Sequence, residues 1–338
     1  MPTVSIANIR KAFGDVQAVD GVSFEVYPGE VFGLLGPNGA GKTTTIRLLL
    51  DIFKPDSGEI AVFGGKLDET RKNRIGYLPE ERGLYKDLKL EPTLVFLATL
   101  KGMGERAARE RIAASLKRFD LYDHRQKKTQ ELSRGMQQKA QIIATLAHEP
   151  DLIIVDEPFS GLDPVNTRLI KEMIEEQRQT GKTIIMSTHQ MYQVEALCDR
   201  IVLINKGRTV LYGQVEQIKH NFAGNAVVIE GQGDFAGLPG VLETRRENGV
   251  WHLALSIGAS PQDVLQAVAA RENVKVERFE IAEPSLDDIF VAVVQGEDRP
   301  EPYPATASTT ASTRGGARGG EHSRRGSRRS GNREETHA

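Results

Sequence analysis

The sequence contains little that would place it in a membrane or in an oxidising compartment. Of its 338 residues one is Cys and one is Trp, and aromatic residues make up 6%. A single cysteine cannot form an internal disulfide, and no cluster of Cys and His has zinc spacing, so the composition fits a reducing cytosol. No apolar run approaches the roughly 18 residues of a membrane span, and the first residues lack the apolar segment of a secretory signal. We therefore expect a cytoplasmic protein that reaches a membrane only through a partner.

The chain also lacks an excess of either charge. Lys and Arg number 44 against 46 Asp and Glu, so we expect no nucleic-acid partner for the chain as a whole. From about residue 297 the sequence has no Val, Ile, Leu, Met or Phe, which predicts a disordered Arg/Gly/Ser-rich tail over 297–338. Seven Arg and one Glu between Arg314 and Arg333 make this tail basic. It is either a solvated tail without a fixed partner or a contact for anionic lipid headgroups or RNA.

Residues 1–218 alternate β and α signals. DLIIVDEP at 151–158 is a short apolar run typical of a parallel strand buried on both faces, and TIIMSTH at 183–189 is another. KTTTIRLLLDIF at 42–53 has apolar residues at helical spacing, at Ile46, Leu49, Leu50 and Phe53. LVFLATLKGM and ERAARERIAASLKRF predict helices within an insertion at about 88–150. The pattern predicts an α/β sheet with helices packed on it.

Residues 219–296 change character and predict a small α+β domain. AVVIE, VWHLALS and VKVERFEI read as strands, and Ser260 followed by Pro261 is typical of a helix start. A last helix carries apolar residues at helical spacing, at Leu286, Ile289, Phe290 and Val293. The domain offers no cluster of catalytic residues.

GPNGAGKTT at 36–44 follows an apolar strand and opens a helix, the context in which G-x-x-x-x-G-K-[ST] predicts a phosphate-binding loop. Its glycines let successive N–H groups point at phosphate oxygens, and the helix N-terminus adds a positive end. Lys42 would reach the β- and γ-phosphates, and the Thr43 hydroxyl would bind Mg²⁺. The alternative is a glycine-rich turn. We expect the phosphates of a nucleotide to contact Gly36, Pro37, Asn38, Gly39, Ala40, Gly41, Lys42, Thr43 and Thr44.

LIIVDEP puts Asp156 and Glu157 at the end of a buried strand, where ligands of open α/β sheets bind. Asp156 would hold Mg²⁺ or its water. Glu157 would take a proton from attacking water, or orient that water. Two solvated acids at a strand end are the alternative.

LSRGMQQK at 132–139 precedes another helical run. Ser133 can cap that helix, and Gly135 allows a close backbone approach. A helix N-terminus with a hydroxyl is again an anion site, so the chain has two phosphate-binding ends and one strand-borne magnesium site.

The order of these motifs resembles the ATP-binding subunit of an ABC transporter. GPNGAGKT resembles the Walker A loop, LSRGMQQ the family signature, LIIVDEP the Walker B strand and SGLD at 160–163 the D-loop; STH at 187–189 resembles the switch histidine. The resemblance covers about residues 1–218 and implies the P-loop NTPase fold of the ABC cassette. It also implies that two cassettes pair head to tail, with each ATP between one Walker A loop and the opposite signature.

The same resemblance implies roles for individual residues. Phe13 would stack on adenine, His189 would contact the γ-phosphate, and Asp163 would cross the dimer seam. Taken alone, Phe13 would rather be read as a core residue and His189 as a satisfied residue at a strand end; the motif order favours the functional roles. Lys42, Glu157 and His189 would be the catalytic residues, with ATP and Mg²⁺ bound.

Three positions depart from the usual pattern. Arg134 and Met136 stand where the signature usually has Gly and Gln, although Ser133 and Gly135 are retained. Glu80, in GYLPEERGLY, stands where the family usually has Gln. A carboxylate still binds Mg²⁺, so we expect Thr43, Glu80 and Asp156 to be the metal ligands.

GYLPEERGLY, LSRGMQQK and AEPSLDDIF together are most similar to the NatA-like subfamily. That likeness implies a small C-terminal domain and a separately encoded ABC-2 type permease, usually an exporter, on the cytoplasmic face of the cell membrane. The alternatives are a soluble ABC-family ATPase acting on ribosomes or DNA, and a non-hydrolysing regulatory protein. The transported substrate is not predicted, because in this family selectivity lies in the permease.

Overall fold

The structure is a computed structural model that describes residues 1–81, 84–222, 226–247, 249–256, 259–271, 274–282 and 285–295. The chain divides into two compact units, Met1–Tyr303 and Pro304–Ala338. All described residues belong to the first unit. The disordered tail that the composition predicts over 297–338 lies outside the described residues.

The first part of the chain alternates strands and helices. Its strands are β1 Val4–Phe13, β2 Val16–Val26, β3 Val31–Leu35, β4 Ser57–Val62, β5 Ile75–Leu78, β6 Leu152–Asp156, β7 Thr183–Thr188, β8 Arg200–Asn205 and β9 Arg208–Gln214. Its helices are α1 Lys42–Leu49, α2 Glu69–Lys72, α3 Leu90–Leu100, α4 Glu105–Arg118, α5 Arg134–Leu146, α6 Pro164–Gln179, α7 Met191–Leu197 and α8 Val215–Phe222.

A six-stranded sheet in the order β5-β6-β7-β3-β8-β9 forms the centre; its strands are parallel except β9. Strand β6 is buried on both faces. Ile153 and Val155 belong to the core on one face of the sheet, which also contains residues of α3 to α7. Leu152 and Ile154 belong to the core on the opposite face. The expectation from DLIIVDEP is therefore confirmed.

A three-stranded antiparallel sheet in the order β2-β1-β4 contributes to the second of these cores, together with α1. Helix α1 ends at Leu49, so the expectation that it continues to Phe53 is wrong. Asp51 takes a left-handed φ of 61°, and the N–H groups of Ile52 and Phe53 turn back to the carbonyl of Arg47 at 2.9 and 3.2 Å. This closes the last turn of the helix.

Between β5 and β6 the chain is helical, with α3, α4, α5 and two short 3₁₀ turns at Tyr122–His124 and Thr129–Glu131. The helices predicted from LVFLATLKGM and ERAARERIAASLKRF are present as α3 and α4. Leu94, Ile112 and Leu116 are fully buried in the same core as Ile153 and Val155 of the central sheet.

The rest of the described chain contains β10 Ala226–Gln232, β11 Val241–Glu247, β12 Val250–Leu255, α9 Pro261–Ala269, β13 Lys275–Ile281 and α10 Leu286–Gln295. The strands form an antiparallel sheet in the order β11-β12-β10-β13, with a separate core that includes Val227, Leu253 and Val264. Ser260 caps α9 as predicted, accepting from the Gln262 N–H at 3.1 Å. Strand β11 was not predicted.

Replacing Ile154 by Ala deletes apolar surface at a fully buried position in the central sheet. We expect the free energy of unfolding to fall by about 2–5 kcal/mol, because the deleted atoms leave a cavity that the surrounding side chains fill only in part. Ile52→Ala is the matched control: Ile52 is 57% exposed, so its loss should cost less than about 0.5 kcal/mol. Urea unfolding followed by circular dichroism measures both, and equal losses would contradict the burial of β6.

Candidate nucleotide-binding site

The predicted site residues follow three neighbouring strands of the central sheet. In the parallel register Asp156 of β6 lies opposite Ser187 of β7, and Leu35 of β3 lies opposite Thr188. The carboxyl ends of these strands therefore stand at one level. Open α/β sheets bind their ligands at this edge. At it lie the phosphate loop, Asp156, Glu157 and His189.

The loop from Gly36 to Gly41 requires glycine at both ends. Gly36 has a φ of 147°, and a Cβ there would lie 2.1 Å from the carbonyl oxygen of Ile204. Gly41 has a φ of 108°, and a Cβ there would lie 2.5 Å from the carbonyl oxygen of Ala18. Gly41 is also the N-cap of α1 and supplies no side-chain cap, so the start of this helix is open to an anion.

The other loop residues complete this surface. Asn38 and Gly39 are exposed, whereas Pro37 and Thr44 are half-buried and Ala40 is buried. The Ala40 N–H donates to the carbonyl of Pro37 at 3.1 Å. The loop therefore presents its middle to solvent while its ends are packed.

Lys42 is buried at the start of α1 and points back into the loop. Its Nζ donates to the carbonyl oxygens of Gly36 at 2.8 Å and Pro37 at 3.2 Å. The same Nζ lies 3.1 Å from Oε1 of Glu157, and both side chains are 6% exposed. This pair is an ion pair rather than an aligned hydrogen bond, since Oε1 has no hydrogen-bond partner within the described residues. Lys42 thus joins the phosphate loop to the end of β6.

Glu157 links the two sides of the site. Its other oxygen, Oε2, lies 2.9 Å from Nδ1 of His189. Its backbone has a φ of 46°, a conformation that is uncommon for a non-glycine residue. The backbone N–H is held by the Oγ and the carbonyl oxygen of Ser187, both at 3.1 Å. Lys42, Glu157 and His189, predicted separately as catalytic residues, are therefore in one contact chain.

Asp156 lies beside Glu157 at the end of β6, 1% exposed. Its Oδ1 accepts from the Thr43 hydroxyl at 3.4 Å and from the Ser187 hydroxyl. Burial raises the pKa of Asp156 above its usual value, although the bonds from Ser187 and Thr43 lower it in part. Burial also raises the pKa of Tyr77 on the neighbouring strand β5 to about 12, with the charge of Asp156 as the next cause.

The paired oxygens of Thr43 and Asp156 fit Mg²⁺, which prefers oxygen ligands and is held in such sites by one or two carboxylates together with substrate phosphates and water. The described residues contain no group of three or more His, Cys, Asp or Glu that could hold a metal by themselves. Glu80 is exposed two residues after the end of β5, and no described residue bonds to its carboxylate. Its role as a metal ligand stays a prediction.

Phe13 ends β1 at the turn of the β1–β2 hairpin, opposite Val16. The ring is 44% exposed and forms a T-shaped pair with Phe53, with the ring centroids 5.3 Å apart. The same hairpin borders the phosphate loop, because Ala18 of β2 limits the space at Gly41. A contact between Phe13 and adenine stays a prediction.

The signature segment and the D-loop lie next to each other, at the starts of α5 and α6. Ser133 is the N-cap of α5, and its Oγ accepts from the Met136 N–H at 3.3 Å. A Cβ on Gly135 would lie 3.0 Å from Nδ2 of Asn166. Asp163 caps α6 by accepting from the Asn166 N–H at 2.9 Å, and this bond and a second one from the Asn166 side chain lower the pKa of Asp163. Within the described residues, no hydrogen bond or ion pair joins Ser133, Gly135 or Asp163 to the phosphate loop.

Sequence reasoning missed three residues of the site. Ser187 and Tyr77 lie within motifs that were singled out, STH and GYLPEERGLY, but their contacts with Asp156 depend on strand pairing. Gln138 was also missed; its Nε2 donates to the carbonyl of Pro158 at 3.3 Å and so ties the signature helix α5 to the loop after Glu157.

Comparison with known proteins identifies the family. A model of the ABC transporter family matches residues 19–160, and a model described as ATP-binding protein DrrA1-3-like, C-terminal domain, matches residues 213–294. The ABC transporter ATP-binding protein YhaQ of Bacillus subtilis (strain 168) is 41% identical over 297 residues, covering 86% of this chain and 98% of the relative. The chain belongs to the family of ABC transporter ATP-binding proteins.

Two further proteins agree with this assignment. Nod factor export ATP-binding protein I of Burkholderia orbicola (strain AU 1054) is 37% identical over 213 residues, which cover 62% of this chain and 70% of the relative. A solved structure of an ATP-binding subunit of an ABC transporter superposes with a TM-score of 0.61 and 33% identity, over 65% of this chain and 93% of that chain. The resemblance read from the motifs and the expected α/β ABC cassette fold are both confirmed.

Ser187→Ala removes a hydroxyl that donates to the Asp156 carboxylate. Since that bond stabilises the ionised form, we expect the pKa of Asp156 to rise further, so that more of the carboxyl is protonated at a given pH. A ¹³C-carboxyl NMR titration measures this shift. Ser160→Ala, at an exposed position three residues beyond Glu157, is the control; a titration unchanged in both variants would contradict the assigned contact.

Proposed function

We propose that this ABC ATP-binding protein hydrolyses ATP to drive export through a separately encoded ABC-2 type permease. The observation that carries the proposal is the position of the Glu157 carboxylate between the Lys42 ammonium and the His189 imidazole. A buried carboxylate with one oxygen directed to each partner is suited to proton transfer beside a phosphate loop.

Each side chain would have a distinct role. Glu157 would take the proton from the attacking water, and His189 would orient the Glu157 carboxylate and contact the γ-phosphate. Lys42 would turn from Glu157 to the β- and γ-phosphates, where its charge offsets the negative charge of the transition state. Thr43 and Asp156, with Glu80 as a further predicted ligand, would hold Mg²⁺, which neutralises developing phosphate charge.

We further propose that the working form is a head-to-tail dimer. The signature end at Ser133 and Gly135 has no described hydrogen bond to the phosphate loop of its own chain. Two copies related by a two-fold axis would place each signature end over the other chain's ATP, with Asp163 near the seam. Closing on ATP and reopening after hydrolysis would then supply the motion that the helical insertion transmits.

The permease and the direction of transport rest on similarity. None of the described helices is long and apolar enough to cross a membrane, which is consistent with a subunit that acts through a partner at the cytoplasmic face. One relative is named for export of Nod factor. The transported substrate stays open, because a cassette of this family does not touch it.

The proposed domain division is a cassette at 1–218 with a helical insertion at about 88–150, an accessory domain at 219–296 and a tail at 297–338. Separate cores in the cassette and in the sheet β10–β13 support the first two parts. Helix α8, Val215–Phe222, crosses the proposed boundary at 218.

Glu157→Gln keeps the shape of the side chain and removes its ability to take a proton. We expect kcat for ATP hydrolysis to fall about 10²- to 10⁴-fold, while ATP stays bound and stabilises the dimer. Phosphate release and light scattering with ATP measure the two effects. Glu172→Gln, on the exposed face of α6, should retain full turnover; full turnover in Glu157→Gln itself would remove Glu157 from the catalytic role.

Affinity capture tests the partner. The Glu157→Gln protein, loaded with ATP, is incubated with solubilised native membranes, and the co-purifying proteins are identified by mass spectrometry. A polytopic membrane protein would support the transporter subunit and name the permease to assay. Ribosomes, or no membrane protein, would contradict it.

Glu80→Gln replaces an exposed carboxylate by the amide usual in the family. We expect ATP affinity to be unchanged and turnover to change modestly, by less than about tenfold, because both side chains offer an oxygen to Mg²⁺. Fluorescent-nucleotide titration and phosphate release measure these quantities. Loss of nucleotide binding would refute the assignment of Glu80.

A further inference from the structure

Helix α10 is the last described element of the accessory domain in sequence, but its buried side chains pack in the core of the cassette. The core of the accessory sheet includes Val227 and Val264 and no described residue of α10. Leu286 is 3% exposed and Ile289 is fully buried, and both belong to the cassette core that contains Met191 of α7. The last described helix therefore completes the core of the other domain.

The surface that α10 covers belongs to the helix that follows the switch histidine. Helix α7 begins two residues after His189. Its inner side packs tightly on β3, since a Cβ on Gly33 would lie 3.2 Å from Sγ of Cys198 and 3.4 Å from Cγ1 of Val194. Because β3 leads directly into the phosphate loop, α7 is held between that strand and α10.

One carboxylate joins α7 to the elements on its outer side. The Oε1 atom of Glu195 accepts from the N–H of Leu286, the first residue of α10. The Oε2 atom lies 3.5 Å from Nζ of Lys219 in α8, and the two side chains are 27% and 21% exposed. A charged acceptor at a helix start satisfies an N–H group that the helix leaves unpaired. Glu195 thus fixes α7 against α8 and α10 at once.

We propose that Glu195 is a positioning residue through which helix α10 sets the orientation of His189. The contact is half-buried, so solvent screens it less than a surface pair. When α10 is docked, Glu195 holds α7 and with it the His189 side chain beside Glu157. When the contact is lost, α7 gains freedom, and His189 leaves the Glu157 carboxylate for part of the time.

The test uses full-length protein and three substitutions at Glu195. Glu195→Ala removes both contacts. Glu195→Gln keeps an acceptor oxygen for the Leu286 N–H. Glu195→Asp keeps the charge but shortens the side chain by one methylene, which moves the carboxylate away from both partners. Glu216→Ala, at an exposed position of α8 without a described hydrogen bond or ion pair, is the matched control.

Two readouts separate positioning from simple stabilisation. We expect kcat for ATP hydrolysis to fall about three- to tenfold in Glu195→Ala with KM for ATP unchanged, because the phosphate loop is intact. Glu195→Gln should recover most of the activity. Imidazole ¹⁵N spectra of histidine-labelled protein, assigned with a His189→Gln sample, should show the His189 signals shifted in Glu195→Ala and near wild type in Glu195→Gln.

A lower melting temperature with unchanged kcat and unchanged His189 signals would overturn the proposal. If Glu195→Ala does not fold, Glu195→Asp decides by the same two readouts, again against Glu216→Ala. The kinetic arm rests on the proposed hydrolysis. If wild-type protein does not hydrolyse ATP, that function fails, and the His189 spectra alone decide whether Glu195 controls the histidine.

Discussion

The register between β6 and β7 is the constraint on which the site depends. It sets Asp156 opposite Ser187, so that one hydroxyl meets the Asp156 carboxylate and the backbone N–H of Glu157. A slip by one residue would turn every side chain of a strand to the other face of the sheet. The close packing of Ile153 and Val155 on one face of β6 and of Leu152 and Ile154 on the other opposes that slip, so the chemistry of the strand end depends on packing in its middle.

Much of the site could be predicted from local sequence. The glycines of the phosphate loop, the acids after LIIV and the serine before α5 each carry their chemistry within a few residues of a strand or helix end. Tyr77 and Ser187 could not be assigned in this way, since their contacts with Asp156 exist only through strand pairing over tens of residues. The end of α1 was placed too late because apolar spacing continues to Phe53, while the left-handed Asp51 breaks the helix.

The two anion-binding ends that the sequence predicts lie in different parts of the cassette. The phosphate loop and the acids predicted to be catalytic lie at the end of the central sheet, whereas the signature end belongs to α5 and lies close to Asn166 at the start of α6. The Gln138 amide donates to the carbonyl of Pro158, so a side-chain hydrogen bond joins α5 to the loop after Glu157. The two predicted ends are therefore separate in position, while the helix that carries one of them is hydrogen-bonded to the loop beside the other.

The placement of α10 has a consequence for how the protein is made. A cassette synthesised from its N-terminus has its central sheet and its helices before the accessory domain exists. The apolar surface on α7 and α8 is covered only when Leu286 and Ile289 arrive, near the end of the described chain. Until then that surface is open to other apolar partners, and folding of the ATP-binding part finishes only after the domain that follows it has been synthesised.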